Sequence, residues 1–257
     1  MQSRQADMHR PPCGCQTRFL PDLKTCPLDW EDKSLPAAGR EPRRGQRAIL
    51  AANFATPQGP LLCYNLHMEV FCGMLARIEQ FTAVFRDSRE QLQKGMYHQA
   101  IMGDLNTMAH GIARLSPNFC NDRMRFLSLG QSEAEFWHHN LFMVTDPAFE
   151  PSRDKQNQHL AGGSANPINQ KLQWWGMPEH VCKEALNPGF HDPWDPQQDI
   201  TLDNPRYRIL GFSMAAGKLD WLLMRRLQLV GKDCGNHDYS ASDHKWLQAD
   251  VQLAGPL

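Results

Sequence analysis

Nowhere among the 257 residues is there an uninterrupted apolar run of the roughly 18 residues that a membrane span needs. The N-terminal stretches CGCQTRF and PLDWEDK also lack the apolar segment that follows the basic residues of a signal peptide. Both absences argue against a transmembrane or secreted chain, and a cytoplasmic or nuclear location is the expectation. Charge of one sign is lacking too. With 27 Lys and Arg against 28 Asp and Glu, the formal net charge is -1, which excludes a protein that coats nucleic acid through a large basic surface but leaves room for a local basic groove.

Cysteines are present without a metal pattern. Cys13, Cys15, Cys26, Cys63, Cys72, Cys120, Cys182 and Cys234 contain no two CxxC pairs and no Cys-His comb, so free thiols are expected. A zinc site from Cys13, Cys15 and Cys26 would need a spacing outside the usual ligand patterns. There is no internal repeat and no low-complexity tract.

What is present begins to show a pattern at residue 47. Residues 1–46, with QSRQADMHRPPCGCQ and LPAAGREPRRGQR, have no sustained period and read as an irregular segment. RAILAANFATPQGPLLCYNLHME then reads as a hairpin, with strands near 47–55 and 60–67 around a Thr-Pro-Gln-Gly-Pro turn. Val70, Met74, Leu75, Ile78, Phe81, Val84, Phe85 and Leu92 recur at a helical period up to Gly95. QAIMGDLNT is a short strand running into polar residues, and EAEFWHHNLF a further helix. Strand, helix, strand, helix predicts a layered α/β fold.

Residues 146–206, rich in Pro, Asn, Gln, Asp and Trp, form a large functional loop or a helix with an elaborate turn. KLDWLLMRRLQLVG is a strand pair or one long strand, and the chain ends on a strand in KWLQADVQL.

Three groups of residues can do chemistry. Asp104 and Asn106 in GDLNT stand two apart at a strand end, where both would face one pocket and could serve a magnesium ion and a phosphate; an Asx turn is the alternative. Asp243 and His244 are adjacent, so in extended chain they point opposite ways and His244 needs another carboxylate to orient it. Asp220, early in an apolar run where an unpaired carboxylate is costly, is the candidate. His67 and Glu69 leave the end of a strand on one face, where a histidine can donate to phosphate or transfer a proton.

The order N-x-H-x-E (Asn65, His67, Glu69), R-x-x-Q (Arg77, Gln80), G-D-L-N-T, K-L-D-W and S-D-H, over roughly residues 48–252, resembles the endonuclease/exonuclease/phosphatase family, the deoxyribonuclease I-like superfamily. The resemblance implies a domain over 47–257 built as an α/β fold of two packed β-sheets flanked by helices, a four-layer sandwich whose first sheet is incomplete here. It implies a metal-dependent phosphoesterase using Mg2+, with Mn2+ as the alternative. Asp104 would position or activate the attacking water and share the metal with Asp243; Asn106 would hold the phosphate. His244 would contact the phosphate or act as base, oriented by Asp220, and His67 would be a second histidine at the scissile phosphate. The family's opening strands carry an asparagine and a Gln-Glu motif that residues 1–46 do not reproduce, since Glu31 and Glu41 follow no apolar strand. An impaired family remnant acting as a binding protein, or a truncated gene product, is the second implication.

The family spans nucleases, inositol-phosphate phosphatases and sphingomyelin-cleaving enzymes, so a nucleic acid, an inositol phosphate and a lipid headgroup all stand as substrates. Trp174, Trp175 and Trp194 could stack on a base or cover a headgroup, or form the loop's own small core. Arg206, Arg208, Lys218, Arg225 and Arg226 are candidates for a phosphate groove.

Overall fold

The computed structural model describes residues 16–20, 48–69, 74–107, 133–145, 172–173, 176–213 and 216–254. Thr56 and Gly59 face each other across Pro57-Gln58, and the Thr56 hydroxyl donates to the Gly59 carbonyl at 2.6 Å. That turn joins β2 (Ile49–Thr56) to β3 (Gly59–His67) as the sequence predicts. Helix α1 (Met74–Gln93) crosses over to β4 (His98–Asp104), which pairs parallel to β3. A strand β1 (Gln16–Leu20) runs antiparallel to β2, so the segment expected to be irregular supplies at least one strand. The rest of residues 1–46, including Glu31, Glu41 and the three N-terminal cysteines, lies outside the described residues.

Helix α1 buries Met74, Ile78, Phe81, Val84, Phe85 and Leu92 of the helical repeat read from the sequence; Leu75 is half-buried, and Val70 lies outside the described residues. It stops in a Schellman motif: Gly95 N–H donates to the Leu92 carbonyl and Met96 N–H to that of Gln91, with Gly95 at φ 85°. EAEFWHHNLF is α2 (Glu133–Trp137) running into a π-helical turn at His138–Phe142. The described part of 146–206 holds α3 (Glu179–Glu184) and a 3-10 turn at Pro205–Tyr207. Asn187 pins it: its Nδ2 donates to the Phe142 and Phe190 carbonyls, and its Oδ1 accepts from the Phe190 N–H at 2.7 Å.

After a short hairpin of β5 (Arg208–Ile209) and β6 (Phe212–Ser213), strand β7 (Asp220–Arg225) joins β4 antiparallel. The main sheet therefore has the order β1-β2-β3-β4-β7. KLDWLLMRRLQLVG is two strands: Arg226, at φ 53°, breaks it and sends the chain into β8 (Leu227–Gly235), which pairs with β9 (Trp246–Leu253) in a separate sheet, two-stranded among the described residues.

Strand alternation divides the core. Leu62, Tyr64, Leu66, Ile101, Trp221 and Leu223 face α1 and α2, where Phe81, Phe85, Trp137 and Phe142 interlock edge to face. Leu61, Cys63, Ala100, Met102, Leu222 and Met224 face the other way and pack on Leu227, Leu229, Ala249, Val251 and Leu253 of β8 and β9. The architecture is mixed α/β with packed sheets. Among the described residues the layers are helices, the five-stranded sheet and the two-stranded sheet.

Candidate active site

The strand register that sorts the core also assembles a polar cluster. His67 is paired with Asp104 across β3 and β4, and Asp104 with Asp220 across β4 and β7. By period-two alternation His67 follows Leu61 and Cys63, Asp104 follows Ala100 and Met102, and Asp220 precedes Leu222 and Met224. All three therefore project from the face that β8 and β9 cover, at the end of the sheet beyond that cover. Gly103 makes the approach feasible. At φ 134° it occupies backbone that L-residues avoid, and a Cβ there would collide with the Leu66 carbonyl oxygen. The glycine of GDLNT is therefore dictated by the contact between β3 and β4.

His244 enters from the loop between β8 and β9. Its Nδ1 lies 2.8 Å from Asp220 Oδ2, so an ionised Asp220, which can only accept, fixes the proton on Nδ1 and leaves Nε2 for other work. Burial is the largest single influence on His244 and disfavours its charge. The hydrogen bond to Asp220 and the fields of Asp220, Asp104 and Asp243 outweigh it and raise the pKa above the ordinary 6.5. Asn236 steadies the loop, donating from Nδ2 to the carbonyls of Ser242 and His244 and accepting the Ala241 N–H on Oδ1.

Asp104 and Asn106 both line the cavity, but through a turn. Asp104 Oδ1 accepts the Asn106 N–H at 2.7 Å, Asn106 sits at φ 52°, and its Nδ2 donates to the Met68 carbonyl at 2.8 Å. The Asx turn weighed from sequence is thus present together with the shared pocket. Asp104 Oδ2 lies 3.5 Å from Nε2 of His67, whose side chain is 53% exposed at the rim. Asp243 also lines the cavity, with its Oδ2 accepting from the Tyr207 hydroxyl at 3.1 Å. The cavity measures about 520 Å³ and is walled further by Leu202, Leu219 and Ser242.

Several predicted residues lie elsewhere. Glu69 does not share a face with His67, because β3 ends at His67. Its N–H donates to Gln80 Oε1 and its carbonyl accepts from Arg77, whose guanidinium forks onto Glu133 at 2.8 and 2.9 Å in full burial. The R-x-x-Q pair therefore holds the chain that leaves β3 rather than entering the cavity. Lys218 and Arg225 do not line a groove. Lys218 is buried against Asp192 at 2.6 Å, and Arg225 donates to the Pro188 and Tyr97 carbonyls. Trp194 is buried, as in the reading that makes it loop core; Trp174 and Trp175 lie outside the described residues.

Sequence reading missed Thr107, Thr201 and Tyr207. The Thr201 hydroxyl accepts the N–H groups of Leu219 and Asp220, and Thr107 donates to the Lys218 carbonyl while accepting from the Trp221 indole. A hydroxyl that anchors backbone leaves no periodic signal. For Tyr207 the only sign was an aromatic among the charges of DNPRYR.

One ligand atom each from Asp104, Asp220 and His244 lies within 4.8 Å of the others. Asp243, expected as a metal ligand, is not in this group. His244 Nδ1 faces Asp220 and its Nε2 is left, so the group offers two carboxylates and one imidazole nitrogen, a set that fits a divalent cation with water completing the shell.

No family model and no curated protein matches the chain. Some solved structures are similar to the chain at low identity, among them proteins named as endonuclease/exonuclease/phosphatase. One, from Beutenbergia cavernae, has 15% identity and a TM-score of 0.41 over 94% of this chain and 45% of its own. A humanised D. rerio TDP2 has 10% identity and a TM-score of 0.43 over 92% and 66%. A mannosyl-6-phosphatase from Bacteroides thetaiotaomicron has 11% identity and a TM-score of 0.35 over 83% and 60%. This chain thus spans only part of the length of each.

Proposed function

We propose that the chain is a divalent-metal-dependent phosphoesterase of the endonuclease/exonuclease/phosphatase family. The observation that carries this reading is the in-register row His67, Asp104 and Asp220, closed by His244 in one cavity.

In this reading Asp104 and Asp220 would hold a magnesium or manganese ion, which would supply charge neutralisation at the phosphate. Asp220 also fixes the His244 tautomer. With Nδ1 held by Asp220, His244 keeps Nε2 for contact with a phosphate oxygen or for proton transfer. His67, at the rim, donates to the leaving side of the ester. Asp104 keeps the Asx turn in place while its second oxygen faces His67. Buried Arg77 and Gln80 act as positioning residues for the chain after His67.

The test is hydrolysis of a nitrophenyl diester and a nitrophenyl monoester, with magnesium and with EDTA, by the wild-type chain and by Asp104→Asn, which preserves the turn acceptor. Magnesium-dependent turnover lost in the variant supports the reading. Turnover that survives both EDTA and the substitution overturns it.

One observation favours a second reading, a binding protein derived from the family: no glutamate lines the cavity among the described residues. It predicts a folded chain without turnover and no micromolar magnesium affinity by calorimetry.

A further inference from the structure

The two most exposed large apolar side chains of the described residues, Leu210 and Phe212, lie with Ile209 in one short segment beside the cavity. Ile209 is 60% exposed, Leu210 93% and Phe212 76%. They form the tip of the β5–β6 hairpin, in which Arg208 pairs with Ser213 and Ile209 with Phe212. The two turn residues, Leu210 at φ 51° and Gly211 at φ 84°, are both left-handed, as a type I′ turn requires. Asn, Asp or Gly takes that first turn position without steric penalty; leucine does not. A side chain that strains the backbone and sits almost wholly in water stabilises nothing in the folded chain, and such a combination marks a functional surface.

The base of the hairpin is tied to the cavity wall. Asn204 Oδ1 accepts the Arg206 N–H at 3.0 Å, and the Asn204 carbonyl accepts the Tyr207 N–H. Tyr207 lines the cavity and donates to Asp243. Two guanidinium groups flank the tip: exposed Arg206, and Arg208, which is paired with Asp203 at 2.8 Å.

We propose that this tip inserts into an anionic lipid surface and that the phosphate ester cleaved in the adjacent cavity is a lipid headgroup. The inference deepens the phosphoesterase reading and rests on it for the word cleaved, though not for the docking. Side chains this exposed enclose no ligand and are free to enter a soft layer. Leu210 and Ile209 are aliphatic and cannot stack on bases as flat rings do. Arg206 and Arg208, both exposed, precede Leu210 by four and two residues, basic neighbours of apolar side chains of the size that embed in the acyl boundary.

The experiment is co-sedimentation with vesicles of phosphatidylcholine alone and of phosphatidylcholine mixed with phosphatidylserine, for the wild-type chain, Leu210→Asn and Leu210→Asn/Phe212→Thr. The wild-type chain is expected to sediment with the mixed vesicles. Partition of the double variant should fall roughly tenfold or more, while its turnover of a soluble nitrophenyl ester stays unchanged. Leu210→Asn alone suits the turn, so its melting temperature should not fall, and reduced partition in that variant reports docking rather than unfolding. Wild-type protein that ignores both vesicle types overturns the inference, as does equal partition of the variants. So does a single-stranded oligonucleotide whose binding is lost with Leu210→Asn while vesicle binding is not. Vesicle binding lost in the variants, with no soluble turnover from any of the proteins, would sink the catalytic reading and leave the docking standing.

Discussion

His244 Nδ1 and Asp220 Oδ2 lie 2.8 Å apart, although Asp220 starts a strand of the main sheet and His244 lies in the β8–β9 loop, 24 positions along the chain. That bond decides how the site titrates. The His244 pKa is raised despite burial, so its contribution to stability is fully present below the unfolded value and is lost as pH rises through the folded one. In the metal-free protein, Asp220→Asn should shift the His244 imidazole titration to lower pH by NMR. The stability gap between wild type and variant should be wide near pH 5.5 and shrink above the raised pKa. An unmoved titration would refute the coupling.

Gly103→Ala meets two penalties at once, left-handed backbone and the Leu66 carbonyl. Urea denaturation should show a loss of about 2 kcal/mol or more. On the proposed function any residual folded protein should turn over less, because β3 and β4 can no longer hold His67 and Asp104 in register.

The Lys218–Asp192 pair is fully buried, with the ammonium also 4.1 Å above the Trp221 ring. Burial pushes Asp192 up to about 6 and Lys218 down to about 8, against their mutual attraction. Lys218→Met alone should cost about 3–5 kcal/mol by stranding a buried carboxylate, and adding Asp192→Leu should recover a large part of it. A double variant no more stable than the single would show that the pair specifies packing rather than merely satisfying charge.

Arg77→Lys keeps the charge and loses the fork onto Glu133. A destabilisation of about 1.5–3 kcal/mol is expected. Turnover per folded molecule should change little in kcat, since Arg77 lies outside the cavity; a collapse in kcat at full folding would place it in the chemistry.

Local elements were legible where one rule dominated. The hairpin, α1 with its glycine stop, and β4 follow from turn chemistry and periodicity, and Asp220 as the partner of His244 follows from the cost of burying a lone carboxylate. Register was not legible: nothing local in NLH, GDL or KLDW says that His67, Asp104 and Asp220 will stand side by side. Nor was the fate of Lys218 and Arg225, whose charge reads as surface until a carboxylate or a row of carbonyls closes over it. β1 was hidden because QTRFL is too short to show a period beside its Pro- and Gly-rich flanks.

Arg226 at φ 53° hands the chain from one sheet to the other, and the loop bearing His244 hangs from that second, two-stranded sheet. Among the described residues that sheet has two strands, and such a pair opens at lower free energy than the α1-backed core. Fraying of β8 from β9 would thus disarm the cavity while the rest of the molecule stayed intact, so warming should silence the protein well before it melts.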